Sequence, residues 1–314
     1  MAITSDRIIE GVNRRISNPQ AQGLLLDSDI LAFCDDIVQE EIIPILESVN
    51  QDFFVTKFEQ LITPGQSLYS IPYRAIGRSL RELKIRDQTG QYLRNLPLIP
   101  IEDAYTYYQW NTVVGFHFEG DRIRLVPGVP TSLANDQYLV FWYRIPPNQL
   151  VPYTEVSQVV SILGNVITVD QVPASFNALP LVDFIQGQSG STIYSINIPI
   201  SSVGVNTITF ASSAEIPTEL QAGDFISLNG QSYVLNYIPN EAYPLVETLT
   251  CRRCLQAISD YEGIKVLDID AERARTNLKM ILEPRIDGEP TIIVNYSSIS
   301  RGYKQNQRSW LYGQ

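Results

Sequence analysis

Chemistry in this chain has few residues to start from. His117 is the one histidine, so any triad or imidazole acid–base pair must use it. In FHFEGDRIRL a two-residue Gly120-Asp121 turn predicts a hairpin with Phe118 opposite Ile123, Phe116 opposite Leu125, Glu119 opposite Arg122 and His117 opposite Arg124. That pairing gives the imidazole a cation for a neighbour instead of an acid and predicts a solvent-facing strand histidine. Cys251-Arg252-Arg253-Cys254 has CxxC spacing, but redox pairs of this type sit where a strand gives way to a helix, and here both thiols fall on the apolar stripe of a helix. A tetrahedral zinc site would need Cys34 and His117 as well, so the cysteines read as small buried hydrophobes. Asp35-Asp36, Glu40-Glu41 and Asp268 with Asp270 lie on expected helices, where carboxylates ordinarily form solvated or ion-paired faces. No phosphate-cradling, dinucleotide, zincin or EF-hand pattern occurs. The expectation is a protein with no catalytic residue, no metal and no cofactor.

The elements around these residues fall into blocks. Ser5 is placed to cap a helix with Ile8, Ile9, Val12 and Ile16 at helical spacing, and Asn18-Pro19 to stop it. Asp27 is placed to cap a second helix, apolar over more than half its circumference from Ile30 to Ile42 and ended or kinked by Pro44. Near the other end, Cys251, Cys254, Leu255, Ile258 and Tyr261 make one stripe, and Leu267, Ala271, Ala274, Leu278, Ile281 and Leu282 another. Between them the period falls to two, with strands expected around Leu83 to Arg86, Gln91 to Leu96, the hairpin above and Tyr138 to Ile145. The fold class read from this is α+β: a helical bundle from both chain ends plus a small antiparallel sheet, with an inserted all-β domain.

Charge marks the insertion. The 314 residues carry a formal charge of -11, yet no Lys, Arg or His lies between Arg144 and Arg252, where eight acids do. Inside this gap Asn165, Ile167 and Thr168 recur as Asn206, Ile208 and Thr209, and Asp183-Phe184-Ile185 recurs as Asp224-Phe225-Ile226, both at an offset of 41. Asn229-Gly230 reads as a type I′ turn between alternating strands. The expected organisation is a body of helices and β-hairpins over residues 1–153 and 243–286, an inserted acidic β domain with a tandem repeat at 154–242, and a C-terminal arm at 287–314. The acidic balance argues against bulk nucleic-acid affinity, since phosphate binding needs surplus Lys and Arg. Interleaved charge over Met1 to Arg15 argues against a signal peptide, no apolar run approaches a membrane span, and three cysteines suit a reducing cytosol.

One basic strip stands out: Arg74, Arg78, Arg81, Lys84 and Arg86 against Glu82 alone. It lies in IIPILESVNQDFF followed by ITPGQSLYSIPYRAIGRSLRELKIRDQTG, which resembles the N-terminal half of head-to-tail adaptor (connector ring) proteins of short-tailed bacteriophages. The likeness covers residues 1 to 145 and, more weakly, 244 to 286; the acidic insertion has no counterpart. It implies a structural virion protein of the tail or neck, assembled in the host bacterial cytoplasm. Such a protein forms a twelve-fold ring that docks on the portal protein and a next tail or ring protein, and the genome passes through its channel without sequence-specific DNA binding or a membrane. A heterologous ring contact needs two complementary faces, for which the strip and the acids Asp35, Asp36, Glu40 and Glu41 are the candidates. Tyr296, Arg301, Tyr303, Lys304, Arg308, Trp310 and Tyr312 suit an arm that docks on another subunit. The alternatives are a β-rich receptor-recognition or fibre-attachment protein, with tail fibres as partners of the insertion, and an enzyme with an unrecognised carboxylate site.

Overall fold

The computed structural model describes residues 2–16, 25–49, 53–110, 112–130, 136–188 and 190–282. Helix α1 (Ser5–Arg15) is capped by Thr4, whose side chain accepts from the Arg7 amide; Ser5 is buried instead, donating to the Val151 carbonyl at 2.7 Å. Helix α2 (Asp27–Ile37) starts after Leu26, whose amide donates to Asp29, and runs through a π-helical turn (Val38–Ile42) into α3 (Ile43–Val49). The wide turn has a cause in Pro44: a proline has no amide to donate, and its ring would press on the carbonyl four residues back in a regular α-helix. Helices α4 (Tyr243–Ala257) and α5 (Tyr261–Leu282) follow the strands, and α1, α2 and α4 pack against one another.

Strands outnumber helices among the described elements. A four-stranded antiparallel sheet has the order β1 (Val55–Leu61), β7 (Gln137–Arg144), β3 (Leu80–Asp87), β4 (Tyr92–Leu96). A three-stranded sheet has the order β2 (Leu68–Ser70), β6 (Arg122–Val126), β5 (Gly115–Glu119). Their inner faces share one core, with Leu83, Leu139, Phe141 and Tyr143 from the first meeting Tyr69, Phe116, Ile123 and Leu125 from the second. The β5–β6 hairpin has the register read from its turn, Glu119 opposite Arg122 through Phe116 opposite Leu125.

Residues 157–228 close into a six-stranded barrel: β9 (Ser157–Leu163), β10 (Val166–Val169), β11 (Leu181–Ile185), β12 (Ile193–Val203), β13 (Thr207–Phe210) and β14 (Phe225–Leu228). The repeat at 41 residues has a structural counterpart here. Ile167 pairs with Ile162 as Ile208 pairs with Val203, and both ladders then shift register, to Val169 with Val159 and Phe210 with Ile200. The copies lock together reciprocally: the Phe210 amide donates to Asn165 and the Val169 amide to Asn206. Asn229-Gly230 does turn the chain, but the strand beyond it, β15 (Gln231–Ser232), leaves the barrel to pair in parallel with β8 (Gln149–Leu150). Residues 233–235 then join the chain start, through Ser5 donating to Tyr233 and Leu235 to Ile3.

This architecture corrects the α+β class with a helical-bundle body. Fifteen strands, in three sheets and a closed six-stranded barrel, outnumber the helices among the described elements and form the architecture on which the helices pack. Helical stripes are long and easily seen, whereas these strands are short and several show water on both faces. Strand β4 is exposed except at Leu96.

Candidate functional site

The basic strip is divided among three environments. Arg74 follows β2 and its side chain is only 8% exposed, pairing with the fully buried Asp183 of β11 at 2.7 Å. Asp183 also accepts from Asn148 at 3.0 Å and from the amides of Gly230 and Asn197, at 3.0 and 3.1 Å. Asn148 in turn accepts from Arg74, and Tyr73 donates to Asn197 at 2.8 Å. Arg74 is thus a bolt between the two-sheet core and the barrel, and burial keeps it from contact with another molecule. The repeat partner of Asp183, Asp224, binds only backbone within the barrel, accepting from Gln221 of its own loop and from Gly187 of the loop after β11.

Lys84 and Arg86 lie on the outward face of the four-stranded sheet. Arg86 bonds Glu59 of β1 at 2.9 Å and covers the Tyr138 ring, and Lys84 bonds Glu82 at 2.6 Å. Partial burial pushes the Glu59 carboxyl up, and the bonds from Arg86 and Lys57 more than offset this, holding it below its ordinary range. Arg78 approaches Asp121 at 3.9 Å, and both it and Arg81 are exposed. A surface pocket of ≈ 370 Å³ between β1, β3 and β7 is lined by Val55, Arg81, Glu82, Lys84 and Trp142.

The acids of the second helix separate as well. Asp35 is buried and accepts from the Leu150 amide with both oxygens, at 3.0 and 3.1 Å. Burial pushes its carboxyl up to about 7, the Leu150 bond opposing the rise and Asp36 adding to it. Glu41 bonds Arg275 of α5, Glu40 lies 4.0 Å from Arg253 of α4, and Asp36 is exposed. Within one chain the strip and these acids therefore do not meet, and Arg74 and Asp35 are not surface groups.

The residues considered for catalysis are poorly placed for it. His117 is buried, which corrects its expected place in water. Residues 97–99 run along β5, bonded through Ile99 to Phe116 and Phe116 to Pro97, and the chain beyond them brings Tyr108 near Arg124 on that face. Its Nδ1 has no hydrogen-bond partner among the described residues, and Arg124 opposite is engaged by Glu119 at 2.9 Å. Cys34, Cys251 and Cys254 are free and buried, and burial pushes all three thiols up, the latter two to about 12, away from thiolate reactivity. No group of three His, Cys, Asp or Glu able to hold a metal occurs among the described residues.

Two surfaces escaped the sequence reading. The 97–114 connection has a small core of its own, Ile99 and Ala104 against Val126, and this holds Leu98, Ile101, Tyr105, Tyr108 and Trp110 out in water, Tyr105 being 71% exposed. Helix α5 buries only Ala271 and Leu278, is held by Arg252 to Asp268 at 2.7 Å and by Arg275 to Glu41, and leaves Tyr261, Val266, Ile269, Met280 and Ile281 exposed. The run YTYYQW was a readable signal for the first, being too aromatic for an ordinary loop. The docking-arm residues Tyr296, Arg301, Tyr303, Lys304, Arg308, Trp310 and Tyr312 lie outside the described residues.

Compared with known proteins, the sequence matches no protein-family model, and no curated protein matches it. No helix among the described residues is long and apolar enough to cross a membrane.

Proposed function

We propose that this protein is a structural component of a bacteriophage virion, a subunit of a ring that joins the portal to the tail and extends the DNA channel. The observation that carries the proposal is α5. A 22-residue helix that buries only Ala271 and Leu278 and turns Val266, Ile269 and Met280 to water on the same side as Arg273 has more exposed apolar side chain than water alone favours, and suits cover by another molecule. The resemblance of residues 1 to 145, and more weakly 244 to 286, to connector-ring proteins supports a ring as the kind of assembly. The chemistry of the buried polar groups agrees with a structural role: Arg74, Asp183 and Asn148 bond one another, and the thiols are held protonated.

Mass photometry and negative-stain microscopy of the purified full chain test the proposal. Closed rings with a central channel are expected. Monomers or trimers whose barrel segment binds a tail-fibre protein would overturn it in favour of a fibre-attachment role.

A further inference from the structure

The 97–114 connection is preorganised for contact. Its mini-core and its bonds along β5 fix the backbone, so Tyr105, Tyr108 and Trp110 are presented without the ordering cost that a mobile loop would add on binding. Its charge has one sign. No Lys or Arg occurs between Arg94 and Arg122, and of the four acids there Glu119 is engaged by Arg124, and Asp121 lies 3.9 Å from both Arg78 and Arg122. Glu102 and Asp103 remain exposed beside the aromatics, with no ion pair among the described residues. An occupant of this face should be aromatic or apolar, carry cations, and lack acids.

One stretch of the same chain has that composition. Residues 290–314 contain Arg301, Lys304 and Arg308 among Tyr303, Trp310 and Tyr312, with no Asp or Glu. They belong to the 32 residues that follow Leu282, a length that spans up to about 100 Å when extended, far enough to reach a neighbouring molecule. We infer that the aromatic, acidic face of the 97–114 connection is the receptor for the C-terminal segment 290–314 of a second copy of this chain. The inference deepens the assembly reading above and rests on it for the source of the segment. Rings interlaced this way are held by cation–carboxylate attraction at Glu102 and Asp103 and by aromatic packing on Tyr105 and Trp110.

The test uses full-length chains. Gln109→Cys in one population, between Tyr108 and Trp110, and Ser309→Cys in another, beside Trp310, place single new thiols at the two sides of the contact, the three native cysteines being buried. A disulfide-linked dimer is expected on mixing, and in neither population alone. Glu102→Lys with Asp103→Lys should slow its formation about tenfold or more at low salt, and Arg301→Glu with Lys304→Glu in the other population should restore it. Absence of the mixed dimer, a link formed within one chain in the doubly substituted Gln109→Cys, Ser309→Cys protein, or failure of the charge swap to restore it would each overturn the inference. Rings that form without the link sink the receptor and leave the ring reading standing, whereas a link in a protein that microscopy shows never closes into rings does the reverse.

Discussion

Two acids that the sequence makes equivalent have unequal work. Asp183 neutralises a buried arginine, so Asp183→Ala leaves a charge with no partner in a dry site and should cost about 3–5 kcal/mol, while Arg74→Met with Asp183→Leu together should cost less than Asp183→Ala alone. Asp224 holds only two loop amides, and Asp224→Ala should cost about 1–2 kcal/mol. Urea unfolding of the four proteins checks the order; equal losses at Asp183 and Asp224 would remove the bolt from Arg74. Asp35 makes a different prediction. Its carboxyl binds a proton more tightly folded, at about 7, than unfolded, at its ordinary 3.8. The stability this adds is complete below about pH 4 and is lost as pH rises to about 7. The groups facing it are Cys34, Asp36 and the Leu150 amide. Asp35→Asn keeps an acceptor for Leu150 without the charge, so it should flatten this part of the pH dependence and be more stable than the parent at pH 8 by about 1–3 kcal/mol. Parallel stability curves for the two proteins from pH 4 to 8 would sink the argument.

Local signals were legible at the scale of single elements, and long-range pairing was not. Gly120-Asp121 sufficed to set the β5–β6 register because a two-residue turn leaves one pairing open. Pro44 marked a disturbance in its helix, and the π-turn is the form it takes. The cysteine stripe located the buried face of α4. The 41-residue offset revealed two copies, but nothing in either copy says that β10 pairs with β13 and β11 with β14 to close a barrel. For the same reason Arg74 read as one of five similar cations: its partner lies 109 residues away. The aromatic loop was missed because its exposure depends on Ile99 and Ala104 finding Val126. Barrel closure also predicts a sensitive glycine. A Cβ at Gly187 would sit 2.2 Å from the Gly223 carbonyl, against backbone that Asp224 already fixes by accepting from Gly187. Gly187→Ala should therefore cost about 1–3 kcal/mol, with the strongest loss of amide protection in β11 and β14 by hydrogen exchange. Protection unchanged in those strands would mean that the two loops separate without cost.

For the whole molecule the question is where the acidic segment can be cut. The barrel strands occupy 157–228, and its interior is its own, with Phe176, Phe184 and Phe210 fully buried in it. The seam below it is shared. Val151, Val156, Ile185, Phe225, Tyr233 and Val234 pack together against Ala2, β15 completes a pair with β8, and Leu235 bonds the chain start. Replacing 154–242 by a short linker would strip the partner from β8, expose the underside of α1 and leave Arg74 without Asp183, so that deletion should abolish cooperative unfolding. A milder deletion, 159–222 with Arg74→Met, keeps residues 231–242 on α1 and β8 and removes the unpaired charge. It should retain the helical circular dichroism of α1, α2 and α4 and a cooperative, though weaker, transition. If both deletions fold equally well, the seam contributes little and the barrel is an independent appendage. If neither folds, the barrel is part of the core on which the two-sheet body depends, and its acidic surface cannot have been added to a body that was already stable without it.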